Sequence, residues 1–199
     1  LEYISEGAFY KCTALESVAF PDSVKEIGTS AFYQCSGLTK VTFGAGLRTI
    51  GVNAFRECSN LTTVKILSTV LETVGNNAFY ACAKLESVTL PDSVKTIGSY
   101  AFASNTAMTR FDMGDGVEKI GMCAFRNCTN LATIVASDSI KIIDRYSASS
   151  SKPAVYAFDG TAWYDNQADG LVYVGKTLYR VKGTLSDTAV VVKSGTISI

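Results

Sequence analysis

The dipeptide Ala-Phe recurs with its phenylalanine at Phe9, Phe32, Phe55, Phe79, Phe102 and Phe125, in steps of 23, 23, 24, 23 and 23 residues. A fixed period of this length constrains the fold more than any other feature, because it belongs to arrays in which one structural unit is stacked many times. The register extends beyond the dipeptide. Three residues after each Phe stand Cys12, Cys35, Cys58, Cys82, Asn105 and Cys128, and three further on Leu15, Leu38, Leu61, Leu85, Met108 and Leu131. Next come Val18, Val41, Val64, Val88, Phe111 and Ile134, then Phe20, Phe43, Ile66, Leu90, Met113 and Ala136. A second apolar cluster pairs Val24, Leu47, Leu71, Val94, Val117 and Ile140 with Ile27, Ile50, Val74, Ile97, Ile120 and Ile143. Segments 15–35 and 85–105 agree at 13 of 21 positions.

One such unit cannot fold alone, because its few apolar groups do not offset the entropy of ordering its backbone. Neighbours must stack so that equivalent residues form continuous ladders, which makes a solenoid. The Leu-x-x-Val-x-Phe element suits a short strand, and stacking these strands in parallel predicts a sheet along the array. Gly28, Gly51, Gly75, Gly98 and Gly121 close the second cluster and predict a tight corner. Pro21 and Pro91 mark strand ends, where no ladder donor is needed. The extra residue of the third unit falls within Leu67 to Val70 and is expected as a loop bulge.

The pattern resembles the BspA-type leucine-rich repeat. The clearest match runs from Leu85-Glu86-Ser87-Val88-Thr89-Leu90-Pro91 through Val94, Ile97, Gly98, Ala101 and Phe102. The resemblance covers residues 1 to about 145, in six repeats. It implies a leucine-rich-repeat right-handed superhelix, β-rich, with a parallel sheet on the concave side and short 3₁₀ or strand segments on the convex side. It also implies a surface or secreted protein of the kind associated with adhesion.

Residues 146–199 depart from the period. The seventh Ala-Phe is delayed to Ala157-Phe158 by a Ser-rich insertion around Ser147 to Pro153, expected as a loop. Leu171 to Val174 and Thr177 to Val181 read as a β-hairpin spacer, with Gly175-Lys176 as a II′ turn. Ala189 to Val192 reads as a further strand, and Gly195 to Ile199 as the opening of another, truncated repeat. The start, Leu1-Glu2-Tyr3-Ile4, carries neither Met nor a signal-peptide pattern, as expected of an excerpt from a longer chain.

The chain has no histidine, which excludes Ser-His, Cys-His and imidazole-metal chemistry within it. Eighteen basic and eighteen acidic residues leave no net charge to drive nucleic-acid or anionic-membrane binding. No apolar run reaches membrane-spanning length. Five cysteines occupy one inward repeat position and are expected as buried, reduced thiols, since stacked parallel side chains do not favour disulfide geometry and metal spacings are missing. Cys123 aligns with Ser30, Asn53, Asn77 and Tyr100 and is expected as an exposed thiol. Asp165 to Gly170 begins like a calcium loop, but Lys176 stands where the bidentate acid belongs. Neither Asp112, Asp115 and Glu118 nor any glycine-rich loop supplies catalysis. No catalytic, cofactor or metal residues are assigned, and the expected chain is not an enzyme.

The outward positions of the longer strand are the candidate ligand surface. One column is Ser17, Lys40, Thr63, Ser87, Arg110 and Thr133; the other is Ala19, Thr42, Lys65, Thr89, Asp112 and Val135. Only Arg110 is a residue type enriched at binding hot spots. Trp163 and Tyr164 form a possible glycan-stacking patch, with burial as a plug at the end of the array as the competing reading. The expectation is a monomeric recognition module at the cell surface or outside the cell that binds extracellular or host-surface proteins. The alternative is a structural spacer within a larger surface protein.

Overall fold

Each repeat forms one coil of a β-solenoid in the computed structural model, which describes residues 1–145 and 155–183. The Leu-x-x-Val-x-Phe element supplies β2 (Ser17–Ala19), β4 (Lys40–Phe43), β6 (Thr63–Ile66), β8 (Ser87–Thr89), β10 (Arg110–Asp112) and β12 (Thr133–Val135). The second cluster supplies β1 (Tyr3–Ile4), β3 (Glu26–Ile27), β5 (Thr49–Ile50), β7 (Thr73–Val74), β9 (Thr96–Ile97), β11 (Lys119–Ile120) and β13 (Ile142–Ile143). These two-residue strands pair in parallel as one seven-stranded sheet, in a register that places Ile27 beside Ile50 and Val74 beside Ile97.

The longer strands differ from expectation. They form two three-stranded parallel sheets, β2-β4-β6 and β8-β10-β12, rather than one. The break falls after the coil that carries the extra residue. There the Ser68 hydroxyl donates to the Leu47 carbonyl at 2.6 Å and accepts from the Val70 amide at 3.1 Å, a local turn that absorbs the insertion where it was expected. The seven-stranded sheet crosses this step intact, since β7 pairs with both β5 and β9.

The Ala-Phe corner is also stitched from coil to coil. Ser30, Phe32 and Gln34 donate their amides to the carbonyls of Val52, Ala54 and Arg56 in the next coil, at 2.7–2.8 Å. Between them, Ala31, Tyr33 and Cys35 donate to carbonyls three residues back. This alternation uses left-handed backbone at non-glycine residues, with φ of 54° at Ser30 and 57° at Gln34, and it recurs at Asn77 and Ala81 and at Tyr100 and Ser104. Such conformations cost roughly 1–2 kcal/mol each, which the inter-coil hydrogen bonds hold in place. The corner glycines serve a different purpose from the one expected. Gly28 and Gly51 are not left-handed; a Cβ on either would lie 2.6 Å from the Ile4 or Ile27 carbonyl oxygen of the preceding coil. Glycine permits close stacking there rather than a turn.

The interior is a set of ladders. The rings of Phe9, Phe32, Phe55, Phe79, Phe102, Phe125 and Phe158 stack in sequence at 4.8–5.7 Å, within 9° of parallel. Phe20 and Phe43 form a second stack at 5.6 Å and meet Phe32 and Phe55 edge-on. Ala157-Phe158, ten residues late in sequence, rejoins the ladder. The thiols of Cys35, Cys58, Cys82 and Cys128 donate to the carbonyls of Phe9, Phe32, Phe55 and Phe102 at 2.9–3.2 Å. Burial pushes the Cys82 thiol well up and that of Cys128 up to about 12, so both stay protonated and able to donate at neutral pH.

Two cysteine expectations require correction. Cys12 is exposed, and Phe9, on the same first coil, is 38% exposed as well. Cys123, expected at the surface, is fully buried. Its left-handed backbone, φ 57°, sets it in a corner column beside Tyr100. The adjacent Cys123 thiol, and then burial, raise the Tyr100 pKa.

Beyond Phe158, Thr161 caps α1 (Ala162–Asp165), its side chain accepting from the Tyr164 amide. The hairpin then follows as β14 (Gly170–Val174) and β15 (Thr177–Lys182), with Gly175 at φ 59° as the turn requires. The Ser-rich loop around 147–153, the strand at 189–192 and the truncated repeat at 195–199 lie outside the described residues.

Candidate interaction surface

Strand register aligns the outward columns. Ser17 pairs with Lys40 and Lys40 with Thr63 in one sheet, and Ser87 with Arg110 and Arg110 with Thr133 in the other. These six residues are all exposed. In the second column Ala19, Lys65, Thr89 and Val135 are exposed, while Thr42 and Asp112 are half-buried. The break between β6 and β8 divides both columns into two groups of three. Arg110 is turned toward its own strand, its guanidinium 3.5 Å from the Asp112 carboxylate. The Arg110 side chain is open to water, so this pair contributes little to stability and leaves the arginine able to exchange partners.

Trp163 and Tyr164 do not share the strand face. Both lie on α1, half-buried, and pack against the core at the far end of the array. The Trp163 indole tilts onto Phe158 at 5.2 Å, and its amide donates to the Leu131 carbonyl. Tyr164 meets Tyr179 edge-on at 5.9 Å. Arg180 lies over the rings of Tyr156 and Tyr164, at 4.2 and 5.0 Å, and is held by Asp159 at 2.9 Å. A β-bulge between Val172 and Tyr173 leaves Tyr179 out of the pairing, and its hydroxyl accepts the Phe158 amide at 2.9 Å. The hairpin tip seals the same end: the Thr177 hydroxyl donates to the Ile140 carbonyl at 2.5 Å, and Lys176 pairs with Asp138 at 3.2 Å. Tyr179→Phe leaves the Phe158 amide buried without an acceptor and is expected to cost about 1–2 kcal/mol. Urea unfolding of the variant checks this, and an unchanged midpoint would contradict the capping role.

A further column lies on the Ala-Phe corner. The residue after each Ala-Phe is Tyr10, Tyr33, Arg56, Tyr80, Ala103 and Arg126, of which Tyr10 is exposed, Ala103 is buried and the other four are half-buried. Tyr10 and Tyr33 stack at 5.2 Å, 5° from parallel, and the Arg56 guanidinium lies 5.8 Å from the Tyr33 ring and 4.7 Å from that of Tyr80. Beside this stack runs a groove of about 470 Å³ lined by Lys11, Thr13, Gln34, Ser36, Glu57 and Ser59. The Glu57 carboxylate accepts from Gln34 at 2.6 Å, Arg56 at 3.1 Å and Tyr33 at 3.5 Å. The bond from Gln34 leads in holding its pKa below the usual carboxylate range. Among the described residues, no cluster of His, Cys, Asp or Glu is arranged to hold a metal ion, and no helix is long and apolar enough to cross a membrane.

The fold has solved relatives. The chain is 32% identical to the T. pallidum leucine-rich repeat protein TpLRR, over 59% of this chain and 57% of that one, with a TM-score of 0.57. A leucine-rich repeat protein from Bacteroides ovatus is 28% identical over 71% of this chain and 37% of its own, with a TM-score of 0.62. The pneumococcal vaccine antigen PcpA is 27% identical over 64% of this chain and 30% of its own, with a TM-score of 0.50. This chain therefore spans between about a third and three-fifths of each of these relatives. It has no match among curated proteins. The model of the BspA type leucine rich repeat region matches six copies, over residues 1–109 and 96–157. With the coil-per-repeat architecture, the stacked phenylalanines and this match over most of its length, the chain belongs to the BspA-type leucine-rich repeat family.

Proposed function

We propose that this chain is a non-enzymatic recognition module of a cell-surface or secreted protein, binding protein ligands through its repeat surface. The observation that carries this reading is the alignment of exposed side chains into columns on a rigid ladder. A fixed scaffold displays many weak contacts at constant spacing, and copies of such contacts gain strength through avidity. The likeness to a pneumococcal antigen supports a surface location. A spacer role has two observations in its favour: half of the strand-column residues are Ser or Thr, and Arg110 is already engaged by Asp112.

Titrating the chain onto immobilised host matrix proteins and intact cells separates the two. Recognition predicts saturable binding that weakens about tenfold with Arg110→Ala or Lys40→Glu, the scale of a hot-spot loss. Binding that never saturates, or that ignores both substitutions, favours the spacer.

A further inference from the structure

Among the described residues, the Ala-Phe corner carries more hot-spot chemistry than the strand columns do. Tyr and Arg are the residue types that dominate binding energy at protein interfaces. Here three tyrosines and an arginine form one stack over four successive coils, exposed at Tyr10 and half-buried at the other three. The stacking fixes their rotamers before any partner arrives, which lowers the entropy lost on binding. The adjoining groove offers the hydroxyls of Thr13, Ser36 and Ser59 and the amide of Gln34 to a partner's polar backbone.

The charges of the groove choose its occupant. The Glu57 charge is already paired by Arg56 at 3.1 Å, and its carboxylate also accepts from Gln34 and Tyr33. Lys11 has no carboxylate partner among the described residues; its ammonium rests 5.2 Å from the centre of the Tyr10 ring. The unbalanced charge at the groove is therefore positive. The stacked rings cover one another's faces, so between Tyr10 and Tyr80 a sugar has no open ring to stack on. Phenol edges, hydroxyls and a lone ammonium suit a peptide. Three steps of about 4.8 Å give the groove a length of about 14 Å, which matches four or five extended residues at about 3.3 Å each.

We propose that the groove between the Lys11–Gln34–Glu57 and Thr13–Ser36–Ser59 columns, which runs alongside the Tyr10–Tyr33–Arg56–Tyr80 stack, binds an extended acidic segment of a partner protein, with a carboxylate seated at Lys11. The proposal shares with the preceding reading only that the partner is a protein. It assigns a different face.

The test is selection of a phage-displayed random heptapeptide library on the intact chain, followed by affinity measurement on the recovered peptides made synthetically. Asp or Glu is expected to be enriched in the recovered sequences. Affinity is expected to fall at least tenfold with Lys11→Glu and with Tyr10→Ala, and to be unchanged by Lys40→Glu. Lys11 and Tyr10 are both exposed in the first coil, so neither substitution threatens the fold, and circular dichroism confirms this for each variant. Recovery of no binding peptide, absence of acidic enrichment, or indifference to both substitutions overturns the proposal. Peptides that lose affinity with Lys40→Glu but not Lys11→Glu place recognition on the strand face, which refutes the groove while leaving the recognition reading intact.

Discussion

Phe79→Ala is expected to destabilise the array by about 3–5 kcal/mol, the range for emptying a fully buried aromatic site. The ring is 1% exposed and lies between Phe55 and Phe102, each at 5.3 Å. In a solenoid each coil contacts only its neighbours, so stability is close to a sum of interface terms. Removing Phe79 weakens two interfaces in the middle of the array. Phe9→Ala weakens one, from a ring that is 38% exposed and stacks only on Phe32. It is expected to cost less than half as much. Urea unfolding followed by circular dichroism measures both. Equal losses for the two variants would mean that the phenylalanines do not act as a ladder, and the nearest-neighbour account of this fold would fall with them.

What could be read in the sequence was whatever repeats by polarity. The Phe, Cys, Leu and Ile columns announce themselves because an inward position excludes water in every coil, and each coil must satisfy the same neighbour. The break between β6 and β8 was not legible, although its cause, the extra residue near Ser68, was placed correctly. An insertion shows its position in a sequence but not which hydrogen bonds it severs. The left-handed corner was hidden for another reason. Lys11, Gln34, Glu57, Ala81, Ser104 and Asn127 share one backbone conformation without sharing a chemical type. Hydrogen bonds from the next coil impose that conformation, so glycine was not required to mark it.

Cys123 shows the limit of reasoning by column. Its equivalents are polar or aromatic, which suggests solvent, yet the thiol is fully buried beside Tyr100. The Tyr10, Tyr33, Arg56 and Tyr80 column was legible in principle, since each residue directly follows an Ala-Phe. Tyr10, Tyr33, Arg56, Tyr80, Ala103 and Arg126 share no chemical type, so the sequence does not mark them as one continuous stack. Trp163 and Tyr164 present the reverse situation: their aromatic character was plain, but only the structure places them against Phe158 and Tyr179 at the end of the coils.

Asn105→Cys is expected to stabilise the chain by about 2–3 kcal/mol, an unusual sign for a substitution at a fully buried site. In the coils around it, a thiol at this position donates to the Phe carbonyl of the preceding coil. Asn105 is fully buried, and neither its amide nitrogen nor its carbonyl oxygen has a hydrogen-bond partner. The Phe79 carbonyl, which a thiol here would reach, accepts no hydrogen bond among the described residues. The native chain thus carries two unsatisfied polar atoms and a vacant acceptor in its densest region, each a desolvation cost of roughly 1–3 kcal/mol. Cysteine is close to asparagine in size, so the gain does not come with a cavity. It removes the orphaned amide and restores the sulfur-to-carbonyl contact seen at 2.9–3.2 Å elsewhere in the ladder. Asn105→Ala separates the two contributions, since it removes the amide but supplies no donor and leaves a small void. The order of unfolding midpoints in urea, under reducing conditions, should be Cys above Ala and Cys above the native Asn. If the native chain proves the most stable of the three, then Asn105 must be satisfied within the folded protein, and the ladder tolerates its amide for a reason other than the one argued from its neighbours.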